Sequence, residues 1–205
     1  MYFPWVGLLE QIRLADIFVH YDDVQLTRGF YNRVQIKTGA GPKWLTIPLR
    51  DVHRGQHIDE ALIDDRRDWK SQHRDILRQA YLTAPYRDEM LALADRVFAI
   101  HAITLADTAR ASVLALADYF AIGENCSFKN SADLAIGGKS SQRLLDIVKS
   151  LDGNIYITGH GASNYLDHAL FEKEGISVQY MQYSCIPYPQ LHLSLIHISE
   201  PTRLQ

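Results

Sequence analysis

Asn154-Ile155-Tyr156-Ile157-Thr158-Gly159-His160-Gly161-Ala162 is the stretch on which the fold turns. Its β-branched and aromatic run is too short for a helix and ends in a glycine turn. The chain then enters Ala162 to Glu174, which has helical spacing and Gly175 as its stop. Ser140 to Leu151, just before, is amphipathic, and Ser177 to Tyr183, just after, is another strand. Strands alternating with helices of crossover length imply a parallel arrangement. The expected class is therefore α/β: a mostly parallel sheet with an inserted helical segment and a β-hairpin near the N-terminus.

Towards the N-terminus, Pro4 suits a first helical position, and Leu8, Leu9 and Ile12 recur at helical spacing. Ile17 to Tyr21 reads as a strand whose end delivers Asp22 and Asp23 into a loop. Val34 to Lys37 and Lys43 to Leu49 read as a hairpin joined by Thr38-Gly39-Ala40-Gly41-Pro42. On that reading Arg33, Gln35, Lys37 and Lys43 share one cationic face. From Trp69 onward the pattern turns helical. Trp69, His73, Ile76, Leu77 and Tyr81 form one face stopped at Ala84-Pro85, and an alanine-rich pair or single bent helix then runs to Gly123. The domain reading is one α/β domain over 1–192 with a helical insertion around 66–123.

The bulk numbers narrow the classes. At 205 residues and 47% hydrophobic composition the chain can bury a real core. A net charge of -3 provides no basic field for nucleic acid or an anionic membrane surface. No apolar run approaches the roughly 20 residues needed to span a bilayer, and the start lacks a basic region ahead of an apolar core. Cys126 and Cys185 are far apart with no CxxC, which fits a reducing compartment and a cytoplasmic protein.

Chemistry concentrates in two places. Asp22 and Asp23 are the candidate catalytic acids, as base or metal ligand, with Gln25, Arg28, Asn32, Arg33 and Lys43 as candidate substrate-binding residues. Two adjacent carboxylates repel, so if both are partly buried a cation should bridge them or one should hold its proton; Arg28, Arg33 or a divalent metal would serve. The same Asp-Asp pair equally suits a turn cap. The second place is Gly159, His160 and Gly161, with Tyr165 beyond. Glycines between a strand and a helix expose N–H groups to an anion, and His160 at the turn is a candidate acid or base. An ordinary β-α turn explains those glycines as well. Gly137-Gly138-Lys139-Ser140 is no phosphate loop, because Asp133 stands where its first glycine belongs; Ser140 is better read as a helix cap. His53, His57 and His73 lack metal-ligand spacing, and His73 is better read as a hydrogen-bonded interior residue. The metal and cofactor requirements stay open.

Tyr2-Phe3-Pro4-Trp5-Val6-Gly7, Tyr21-Asp22-Asp23-Val24-Gln25, Asn32-Arg33, Trp44-Leu45-Thr46-Ile47-Pro48-Leu49 and Pro187-Tyr188-Pro189-Gln190, in that order, resemble the WbqC-like protein family. The resemblance runs from Tyr2 to about His192. It implies a bacterial, cytoplasmic protein encoded among genes for O-antigen and other surface polysaccharides, without fixing a reaction. Family members usually open with a further strand and continue past the Pro-Tyr-Pro-Gln motif, so both natural ends are expected to be missing. Residues 193–205 resemble translated adapter sequence from a sequencing library. The opening is also similar to nucleotidylyl-transfer domains of the HUP type, though their paired histidines are absent.

Two functions remain open at this level. One is a transferase-like enzyme of O-antigen biosynthesis acting on an anionic small molecule, a nucleotide sugar or an amino sugar. The other is a non-catalytic precursor-binding or scaffold protein of the same pathway. Neither involves nucleic acid or a membrane, and both allow a homo-oligomer.

Overall fold

A computed structural model describes residues 1–27, 29–184 and 191. Arg28, Cys185 and the Pro187-Tyr188-Pro189-Gln190 motif lie outside the described residues. The chain divides into two compact units, the first holding Met1–Trp5 and Val24–Phe120 and the second Val6–Asp23 and Ala121–Tyr183.

The first unit opens its hairpin with β2 (Arg33–Thr38) and β3 (Gly41–Thr46), numbered after β1 (Ile17–His20) of the second unit. The turn is two residues shorter at its end than the sequence suggests: Thr38 pairs with Gly41, whose φ of 111° lies where glycine is favoured. This shifts the register by one residue and pairs Lys43 with Ile36. The expected single cationic face is thereby corrected. Lys43 falls on the side of Val34 and Ile36, opposite Arg33, Gln35 and Lys37, because a one-residue slip sends a strand's side chains to the other face.

Three helices follow: α2 (Trp69–Ala80), α3 (Arg87–Phe98) and α4 (Leu105–Tyr119), numbered after α1 (Val6–Leu14). The alanine-rich region is thus a pair of helices, broken before Thr104. That residue is the reason: its side chain accepts from Asp107 N, and the Asp107 carboxylate accepts from Thr104 N at 3.0 Å, a reciprocal capping box. Thr104→Ala is expected to cost about 1 kcal/mol, read as a lower urea midpoint. An unchanged midpoint would show that the box contributes nothing.

Lys70 Nζ donates to the Phe98 carbonyl at 2.8 Å, satisfying an acceptor at the end of α3. The core beneath gathers Tyr2, Ile36, Leu45, Ile47, Ile63, Trp69, Leu77 and Leu105. His73 lies in it, with Nδ1 3.0 Å from the Tyr2 hydroxyl, an interior residue as its apolar helix face implies.

The second unit begins with α1, two residues later than Pro4 would allow, and β1. Then come β4 (Ser127–Asn130), α5 (Ser140–Ser150), β5 (Ile155–Thr158), α6 (His168–Lys173) and β6 (Ser177–Tyr180). β5 pairs with β6 in parallel, joined by the helix-length crossover through α6, and β1 pairs with β4 in parallel although all of Val24–Phe120 intervenes in the chain. The chain is α/β, with short parallel pairs rather than one broad sheet. Leu145, Leu166, Phe171 and Ile176 form the core between α5, α6 and the strands. Among the described residues no helix is long and apolar enough to cross a membrane.

The continuous helix expected over Ala162 to Glu174 is divided. A one-turn 3-10 helix, His160–Asn164, comes first, and α6 starts only at His168. Asp167 resets the backbone: its side chain accepts from Leu170 N, and its own N–H donates to Ser141 Oγ at 2.9 Å.

Candidate functional site

Within the second unit, β1 ends at His20 and delivers Tyr21, Asp22 and Asp23 past its carboxyl edge. β4 runs parallel beside it and delivers Ser131. Asp22 is buried. Asp23 is paired with Arg143 of α5, and the two side chains keep only 16% and 8% of their exposure. The Ser131 hydroxyl stands 2.5 Å from Asp23 Oδ1 and 3.0 Å from the His20 carbonyl, so its single proton serves both acceptors.

Arg143 is held on several sides. Its Nε donates to the Ile136 carbonyl at 2.9 Å, Nη2 donates to the Asp23 carboxylate, and Cζ lies 5.0 Å from the centre of the Tyr21 ring. The guanidinium therefore ties the glycine loop before α5 to the end of β1. Burial pushes the Asp23 carboxyl up, but the hydrogen bonds from Arg143 and Ser131 and the Arg143 charge outweigh it and hold it below the usual carboxylate range. Arg143 in turn is raised, chiefly by its hydrogen bond to Asp23. With a depressed folded value, the stability from this pair is present above the unfolded carboxylate pKa, near 3.9, and is lost as pH falls through the folded value.

The cation that relieves the Asp-Asp pair thus comes from α5, and no sequence motif singles out either Arg143 or Ser131. A signal existed for the arginine. Arg143 stands four residues before the buried Ile147, on the stripe of an amphipathic helix that faces inward, where a charge needs a partner. The helix begins differently from expectation. Its cap is Lys139, with no side-chain capping bond, and Ser140 is the first helical residue with φ 56°.

The second glycine turn belongs to the same unit. A Cβ on Gly159 would come within 3.2 Å of Gln11 Nε2, so α1 packs closely over this turn, whereas Gly161 faces open space. The exposed His160 ring stacks on Tyr180, centroids 5.7 Å apart and planes 14° apart, and the Tyr180 hydroxyl is 2.7 Å from His168 Nε2. Tyr165 is exposed. Because a 3-10 turn follows Gly159, the glycines do not open directly onto an α-helix.

The other residues named from the sequence belong to the first unit. Asn32 is a structural clasp: Nδ2 donates to the Ile47 carbonyl at 3.0 Å, and Ile47 N donates to the Asn32 carbonyl at 2.8 Å. Gln25 is exposed, and its backbone bridges to His57. Arg33 lies over Trp44, and Lys43 is exposed on the other hairpin face. The chain passes from one unit to the other between Asp23 and Val24. Among the described residues no group of three or more His, Cys, Asp or Glu side chains is placed to hold a metal ion.

A model of the WbqC-like protein family matches residues 1–197. The chain is also 30% identical over 185 residues to the uncharacterized protein Rv1507c of Mycobacterium tuberculosis, covering 89% of this chain and 79% of that one. No solved structure matches it. A match along nearly the whole length, with the Tyr21-Asp22-Asp23 edge inside it, makes this chain a member of the WbqC-like protein family.

Proposed function

We propose that the protein is a transferase-like enzyme of bacterial surface polysaccharide (O-antigen) biosynthesis, acting in the cytoplasm on a nucleotide-activated or amino sugar. The chemistry is assigned to the second unit. One juxtaposition carries the reading: Tyr21, Asp22 and Asp23 leave the carboxyl end of a parallel strand, where Arg143 and Ser131 hold Asp23. Ligands of α/β folds bind outside that edge. The polysaccharide setting comes from the family resemblance.

Asp23, committed to Arg143 and Ser131, is a weak base; in this reading Asp22, buried beside it, activates the acceptor. In the transfer, the acceptor oxygen bonds to the electrophilic carbon or phosphorus of the donor. Its proton passes to Asp22, and the phosphate leaves with the electron pair of the broken bond. The Gly159 to Gly161 turn, open at Gly161 and flanked by His160 and Tyr165, is placed in this reading against the anion.

The test is incubation with nucleotide-sugar pools followed by mass spectrometry. Asp22→Asn should lower product formation at least about 100-fold, with far-ultraviolet dichroism checking that the variant folds. Undiminished turnover would remove Asp22 from the chemistry. The saturated Asp23 favours a second reading, a precursor-binding or scaffold protein. Saturable binding of a nucleotide sugar with no product from any pool would select it.

A further inference from the structure

The hairpin of the first unit turns one face to the core, through Ile36 and Leu45. Its register places Arg33, Gln35 and Lys37 on the other face, opposite Thr46, Trp44 and Pro42. None of these six is acidic. Trp44 lies beside Phe30, ring centroids 5.6 Å apart, and each keeps 37% of its surface exposed. Two neighbouring aromatic rings left half in water on a face with only positive charge form an amphipathic platform.

Arg33 is set on that platform in a fixed pose. Its Cζ lies 4.7 Å from the centre of the Trp44 ring, and its Nε donates to the Gly29 carbonyl at 3.0 Å. Stacking and one hydrogen bond together fix the guanidinium plane, while the two Nη groups have no partner among the described residues. An arginine normally loses side-chain freedom when it grips an oxyanion. Here much of that loss precedes binding, which favours a bidentate contact. Lys37 adds a second positive charge to the same face.

We propose that this face binds a nucleoside phosphate, the base packing against Phe30 and Trp44 and the phosphate taken by the Arg33 fork. Aromatic rings offer stacking to any base, and a single arginine fork matches a single phosphate. A long polyanion is disfavoured by the chain's net charge of -3. The inference rests on the hairpin and the Gly29–Phe30 segment leading into it, and stands whether or not Asp22 performs a transfer.

Calorimetric titration of the protein with uridine and adenosine 5′-monophosphates tests it, with uridine and inorganic phosphate as separate arms. Sub-millimolar saturable binding of either nucleotide is expected, with nucleoside and phosphate alone each at least about tenfold weaker. Arg33→Lys keeps the charge but loses the planar fork, and should weaken nucleotide binding about tenfold. Trp44→Leu should do the same through lost stacking. Near-ultraviolet dichroism of the buried Trp69 checks that both variants fold. No saturable heat, an Arg33→Lys variant that binds like the parent, or phosphate alone binding as tightly as nucleotide overturns the proposal. Affinity that climbs with oligonucleotide length overturns it in favour of single-stranded nucleic acid.

Discussion

Arg143→Met should weaken the second unit by about 3 kcal/mol, the largest loss expected from any one substitution at the Asp23 edge. The cause is the charge left behind. Asp23 keeps only 16% of its side-chain exposure and would retain the Ser131 hydroxyl as its hydrogen-bond partner in place of a full cation. A fully buried carboxylate would cost more, and the residual water contact sets the value at the low end. Arg143→Lys should recover only part of the loss, because an ammonium cannot at once reach the Ile136 carbonyl, the Asp23 carboxylate and the face of Tyr21 as the planar guanidinium does. The double variant Asp23→Asn with Arg143→Met removes both charges and should be clearly more stable than the sum of the single effects. Urea unfolding, with hydrogen exchange at Ile17 to His20 and Ser127 to Asn130 as the local probe, measures all four. If Arg143→Met unfolds at the parent midpoint, or the double variant loses the full sum, the pair is not what holds this edge together.

How much of this edge was legible in the sequence depends on the range of each interaction. The strand at Ile17 and the loop carrying Asp22 and Asp23 follow from local composition, as do α2, the hairpin strands and the β-α alternation of the last third. Those features are set by side-chain period and by glycine and proline punctuation within a dozen residues. The partner of Asp23 lies 120 residues further along, and no local pattern announces it. The Lys43 face shows a finer failure. Reading Thr38 to Pro42 as the loop makes Lys37 and Lys43 neighbours. The actual turn at Gly39-Ala40 shifts the pairing by one residue and reverses the face. In Ala162 to Glu174 the apolar period runs through Asp167 unbroken, yet that residue's capping bond starts a new helix. Periodicity located the elements; single hydrogen bonds decided their ends, and those ends carry the site.

The stability of the first unit should fall steeply in mild acid because of His73. Burial drives the ring's pKa down from 6.5 to about 4, and the hydrogen bond to the Thr46 backbone opposes this only in part. The ring's Nδ1 lies 3.0 Å from the Tyr2 hydroxyl, which pairs with the neutral imidazole. Burial likewise pushes the Tyr2 phenol up, so both partners stay neutral at ordinary pH. Between pH 6.5 and about 4 the unfolded chain takes up a proton at this position that the folded chain refuses. Stability is therefore full above pH 6.5 and declines as pH falls through the window, by about 3 kcal/mol at its lower end. Removing the ring with His73→Leu should flatten this limb. The variant starts lower at neutral pH, because the Tyr2 hydroxyl loses its partner, and Tyr2→Phe in the same background should return part of that loss. Unfolding free energies in urea at several pH values from neutral to mildly acid test the argument through the difference between parent and variant. A difference that stays constant across the window would mean that His73 takes up its proton in the folded state as readily as in the unfolded one.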